Sequence, residues 1–199
     1  IYKGIESDIL TDGSLDYSDD ILAGFDIVIA SVHSGLNMDE EKATRRLITA
    51  IENPYTRILG HPTGRLLLAR RGYPVDYKKV IDACAANNVV IELNANPQRL
   101  DLDWTWIPYA LDKHVKVAIN PDAHSKESIH YIKYGVAAAR KGRRPLGAAG
   151  PAAGAGQRCA AAAVRAGADG AGRWRCGAEL PAGQLARALG HRAGAGPQH

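Results

Sequence analysis

Residues 116–125, KVAINPDAHS, decide how the rest of the chain is read. Val115, Val117 and Ile119 alternate with Lys116 and Ala118, the two-residue period of a short strand. The strand runs out at Asn120-Pro121, because proline has no ladder donor and the residue before it avoids the helical region. Asp122 and His124 follow two apart, so an extended segment would point both to one side. A carboxylate oxygen and an imidazole nitrogen together suit zinc, manganese or iron. A D-x-H alone is more simply a turn aspartate beside a surface histidine. The metal reading gains weight because other strands end the same way.

Working outward, residues 4–10 read as a strand with Glu6 and Asp8 on one parity, closed by the Asp12-Gly13 turn. An unpaired carboxylate in that apolar context is costly, so Glu6 is either salt-bridged or a metal ligand. Residues 25–34 form a near-continuous apolar run, the mark of a strand covered on both faces, and end in His33. Residues 57–62 repeat the pattern and end in His61-Pro62, and residues 89–97 end in Glu92, Asn94 and Asn96. Helical spacing fills the intervals at 38–51, 75–87, 103–113 and 128–141, the last with Ile129, Ile132, Val136 and Ala139 as its stripe. Cys84 falls on the inward face of the second of these helices. Such alternation argues a parallel α/β sheet or barrel, and in barrels of this kind the carboxyl ends of the strands carry the chemistry. No nucleophile elbow is present for a serine hydrolase, and no phosphate-binding glycine loop. A hydrolase using several metals is the simplest chemistry left.

The bulk numbers add little to this and exclude more. At 199 residues the chain is one domain or a domain with an appendage. It has no run of 18 apolar residues and no signal-peptide pattern, so nothing in it argues for membrane or export. Three cysteines without a C-x-x-C pair argue against a disulfide framework and make a reducing cytoplasm the default. Residues 1–142 hold 17 Lys+Arg and 19 Asp+Glu, while residues 143–199 hold 8 Arg and 2 acids. The net charge of +4 therefore belongs to the tail and says nothing of nucleic-acid binding by the rest.

That tail is 30 Ala or Gly in 57 residues and lacks Ile, Lys, Asn, Phe, Tyr, Met, Ser and Thr. Composition this narrow reads as low complexity, consistent with G/C-rich sequence in a foreign frame or a fused segment. An arginine-rich nucleic-acid tail is the competing reading. A short helix at 184–189 is compatible with either, and Cys159, Cys176, His191 and His199 show no ligand spacing.

Collected in order, GIESDIL-TDGSLDY, FDIVIASVHS, NPYTRILGHPTGRLLL, IELNANPQRLDL and INPDAHS, followed by YGVAAARKG, closely resemble the PHP (polymerase and histidinol phosphatase) domain. The nearest version is that at the C-terminal end of bacterial family X DNA polymerases, and the resemblance covers about residues 1–142. It implies an α/β fold, a distorted (βα)7 TIM-like barrel holding up to three divalent metals, with manganese favoured and zinc or iron allowed. It also implies 3′-5′ exonuclease and related phosphoesterase activity on DNA 3′ ends, within a parent polymerase. On that resemblance Glu6 bridges the first and second metals, and His33 and His61 complete the second site. Asp122 matches a first-site ligand and His124 a third-site ligand, which makes Glu6 and Asp122 the catalytic pair. Asn94 is pocket wall with Glu92, and Arg65 either contacts a substrate phosphate or makes a structural ion pair. The family's opening H-x-H strand has no counterpart, so it is expected before Ile1, with an N-terminally incomplete barrel and an unpaired edge beside Glu6. Little exonuclease activity is expected of these 199 residues alone. A histidinol-phosphatase-like phosphomonoesterase and a non-catalytic scaffold are the alternatives.

Overall fold

The computed structural model describes residues 1–143 and two short strands, Ala166–Ala168 and Trp174–Cys176. Chain contacts divide it into two units, Ile1–Ala161 and Ala162–His199. In the first unit the elements are β1 (Gly4–Asp8), α1 (Asp19–Leu22), β2 (Ile27–Ser31), α2 (Glu40–Glu52), β3 (Thr56–Leu59) and α3 (Tyr77–Asn87). They continue with β4 (Val90–Asn94), α4 (Ile107–Asp112), β5 (Val117–Asn120) and α5 (Ile132–Gly142). In the second unit β6 (Ala166–Ala168) and β7 (Trp174–Cys176) pair antiparallel. The expected low-complexity behaviour of the tail and its helix at 184–189 lie outside the described residues.

Strands β1 to β5 form one parallel sheet in the order β1-β2-β3-β4-β5. Strictly sequential order, without the reversal of a doubly wound sheet, is compatible with a TIM-like fold. Five strands carry that much, whereas barrel closure and a seven-fold repeat are not displayed by the described residues. Because all five run the same way, their carboxyl ends share one edge of the sheet, which is where the strand-terminal polar residues are delivered.

Local chemistry explains most boundaries. Asp39 and Asp76 accept hydrogen bonds from the amides of Lys42 and Lys79 and so cap α2 and α3. Asn88, at φ 55°, ends α3 in the left-handed region. Pro108 sits in the first turn of α4, where its missing N–H costs nothing, and a 3₁₀ turn at Trp104–Trp106 precedes it. The core lies between the sheet and α2 and α3, with Leu47, Ile51, Ile81, Cys84, Leu59 and Ile91 at or near zero exposure.

The last helix differs from its apolar reading. A 3₁₀ turn at Glu127–Tyr131 puts Ile129 out of phase and leaves it 41 % exposed. Helix α5 instead buries Gly135, where an added Cβ would lie 2.6 Å from both Ala95 Cβ and Ile119 Cγ2. Close backbone approach at Gly135 docks it on the sheet, while Ile132, Val136 and Ala139 of the expected stripe are half-buried. The short helix α1 had no expected counterpart, being a single turn with only Leu22 buried.

Candidate metal centre

Glu6 sits mid-strand in β1, His33 two residues beyond the end of β2, and His61 two beyond the end of β3. The parallel register sets Glu6 beside Ile29 and Asp8 beside Ser31, so adjacent strands deliver these groups to one edge. Glu6 Oε1 lies 3.6 Å from His33 Nε2 and 3.4 Å from His61 Nε2. The two rings stand edge to face with centroids 5.1 Å apart. One ligand atom from each residue falls within 4.8 Å of the other two. Two ligands at about 2.0–2.1 Å from one tetrahedral ion stand about 3.3 Å apart, so the observed spacing fits a shared cation.

The electrostatics are those of a ligand set. His61 holds the Glu6 carboxyl down at about 2 through its hydrogen bond, against the upward push of burial and with further help from Ser31. Burial pushes His61 down, yet Glu6 and the charge of Glu92 outweigh it and leave its pKa raised. Among the described residues the buried His61 Nδ1 has no hydrogen-bond partner. Asp8 Oδ1 accepts from His33 Nδ1 at 2.5 Å, fixing the tautomer that presents Nε2 to Glu6. Asp8 was not singled out as a site residue, although its shared parity with Glu6 was the available signal.

Asp122 and His124 are not brought into that cluster. Asp122 takes φ 49°, so the segment is not extended and the same-side reading of D-x-H loses its premise. Its Oδ2 accepts from Asn94 Nδ2 at 3.1 Å and faces Arg99 Nε at 3.7 Å. His124, its side chain 85 % exposed, turns Nδ1 back to the Asp122 carbonyl at 2.9 Å. A buried network nevertheless links the two places. Glu92 Oε2 accepts the His61 amide at 2.7 Å, its Oε1 accepts from Asn120 at 2.9 Å, and Asn94 lies 3.4 Å from Glu92 Oε2. Desolvation pushes the Glu92 carboxyl up. Asn94 and Glu92 therefore form the wall between His61 and Asp122. Arg99, which no spacing rule marks, is the cation at its far end.

Arg65 points elsewhere. Its Nη1 pairs with Asp103 at 2.7 Å, Nε donates to the Arg99 carbonyl at 2.9 Å and Nη2 to that of Leu100. A second arginine missed by pattern, Arg46, is 2 % exposed and donates to the carbonyls of Ile9, Leu10, Ser34 and Gly35. It thereby pins the segments that follow β1 and His33.

The chain is 49% identical over 142 residues to the DNA polymerase/3′-5′ exonuclease PolX of Bacillus subtilis, covering 71% of this chain and 25% of that protein. It is 39% identical over 98 residues to a probable phosphatase of Caldanaerobacter subterraneus, covering 47% of this chain and 36% of the relative. A probable phosphatase of Thermoanaerobacter is 34% identical over 134 residues, covering 62% and 52%. The chain thus spans between a quarter and about half of the length of these relatives. No family model matches it.

Proposed function

The chain is consistent with a PHP-type phosphoesterase domain, related to a family X polymerase and to probable phosphatases, and from that premise we propose that it is the phosphoesterase part of a parent polymerase that hydrolyses phosphodiester bonds at DNA 3′ ends. The observation that carries the proposal is the convergence of Glu6, His33 and His61 within 4.8 Å on one sheet edge. When bound, a divalent ion there would supply the Lewis acidity that lowers the pKa of water and offsets phosphoester charge. Manganese, zinc and iron all suit the nitrogen and oxygen donors, and up to three ions are proposed for the domain.

The chain's own groups have defined tasks. Glu6 is ionised at neutral pH and offers Oε1 to the centre. Asp8 keeps the proton of His33 on Nδ1, so Nε2 stays a free donor of its lone pair. Burial of His61 at 2 % exposure shields that side from bulk water, and Glu92 holds its backbone in place. Asp122 and His124 are proposed as further ligands, and Asn94 and Arg99 as the groups that orient Asp122. Arg65 is proposed to bear on substrate only through the loop it braces against Asp103.

A phosphomonoesterase is the second reading, favoured by the probable phosphatases among the relatives. Calorimetric titration of manganese and of zinc into the chain should show uptake that His61→Ala lowers at least tenfold. With metal present, cleavage of 3′-labelled single-stranded DNA supports the exonuclease, and turnover of phosphomonoesters alone supports the phosphatase. Equal metal uptake by wild type and His61→Ala sinks both.

A further inference from the structure

We propose that the hairpin at residues 65–75 is a binding element for single-stranded nucleic acid, seating the nucleotides next to the end that is hydrolysed. The proposal rests on the phosphodiesterase reading above but on different residues. The hairpin is closed by paired hydrogen bonds between Leu66 and Arg70, at 2.9 and 2.8 Å. It is tied down by the Leu67 amide on the Gln98 carbonyl at 2.5 Å and by Arg70 Nη2 on the Gly64 carbonyl at 2.7 Å. A loop fastened at so many points would be expected to tuck its leucines away, since burying one is worth about 1.5–3 kcal/mol. Instead Leu68 is 110 % exposed, at φ 65°, and Leu67 is 38 % exposed. The two leucines thus make a small apolar tip fixed in water.

Behind the tip lies a cleft of about 710 Å³ whose lining includes Thr63, Arg71 and Tyr77. Thr63, in the lining, is two residues from His61, so their Cα atoms are at most about 7.6 Å apart, and the loop that lines the cleft follows directly on the ligand His61. Arg65 and Arg70 are spent on Asp103 and on backbone carbonyls. Arg71 is exposed and makes no side-chain hydrogen bond or ion pair among the described residues. Glu40 is the one acid in the lining. Tyr77 presents an aromatic wall stiffened by stacking on Trp106, with centroids 4.7 Å apart and 13° between planes. A free guanidinium for the phosphate and apolar and aromatic faces for the base are what sequence-tolerant single-strand sites use.

The test is fluorescence anisotropy of fluorescein-labelled oligothymidylate with the full chain in EDTA, so that metal plays no part. At about 0.1 M salt Arg71→Ala should weaken binding about fivefold and lower the slope of log affinity on log salt by about 0.7. Leu68→Ser should weaken it without changing that slope. Both positions are exposed, so circular dichroism should be unchanged. Photo-crosslinking of a 5-iodouracil oligonucleotide should label the peptide spanning residues 66–77. Unaltered affinity in both variants, or crosslinks confined to residues 143–199, overturns the proposal. A failure of metal uptake leaves these readings untouched, so the two ideas fail separately.

Discussion

At the scale of single residues, the site depends as much on what holds the ligands as on the ligands. Arg46 illustrates this. Its guanidinium is buried on α2 and donates to four carbonyls drawn from the segments after β1 and after His33. Removing it orphans the buried Ile9 carbonyl and three part-buried ones, and each buried unsatisfied group costs about 1–3 kcal/mol. Arg46→Met keeps much of the volume and should still destabilise the chain by about 3 kcal/mol or more, read as a lowered urea midpoint. A loss under 1 kcal/mol would show that the carbonyls find other donors. Asp8 plays the corresponding part for the His33 ring. Neither role follows from residue type, because arginine and aspartate at such spacings are most often solvated.

Among elements, contacts between loops and between helix and sheet set the frame. Helix α5 meets the sheet through Gly135, against Ala95 on the loop after β4 and Ile119 in β5. Gly135→Ala must therefore push α5 outward, and overpacking of this kind costs about 1–3 kcal/mol, outweighing the helix propensity alanine adds. Thermal unfolding should begin lower in this variant, whereas an unchanged or raised midpoint would mean the helix shifts freely. The loops after β3 and β4 are joined by Arg65 and Asp103. Burial alone would raise the Asp103 carboxyl, but hydrogen bonds from Arg65 and Thr105 outweigh it and hold it below its ordinary value. Since the folded value is the lower one, this stabilisation is present in full above the unfolded value of about 3.9 and is lost as pH falls through the folded value. Asp103→Asn should flatten that part of the acid-unfolding curve, and an unaltered curve would show the pair to be idle.

At the scale of the first unit, the hydrophobic core of the described residues packs on a sequential parallel sheet that carries the candidate centre at its carboxyl edge. Cys84 reports on that core, because burial pushes its thiol up to about 12. An unfolded thiol is half ionised near 8.5, so iodoacetamide at that pH should modify Cys84 only in step with urea unfolding, as read by peptide mass spectrometry. Modification in native buffer would show an open core. Among the described residues no helix is long and apolar enough to cross a membrane. The alternation of strand and helix, and the placing of His33 and His61 just beyond strand ends, were legible in the chain itself. Periodicity and breakers act over a few residues, so a linear pattern records them. Other features belonged to the tertiary structure alone: the grip of Asp8 on His33, the clamp of Arg46, the engagement of Arg65 with Asp103, and the turning of Asp122 toward Asn94 and Arg99. Each pairs groups from segments far apart in the chain, and that of Asp122 also hangs on one backbone angle, φ 49°. Such pairings are fixed by how strands register and loops pack, which no short-range pattern encodes.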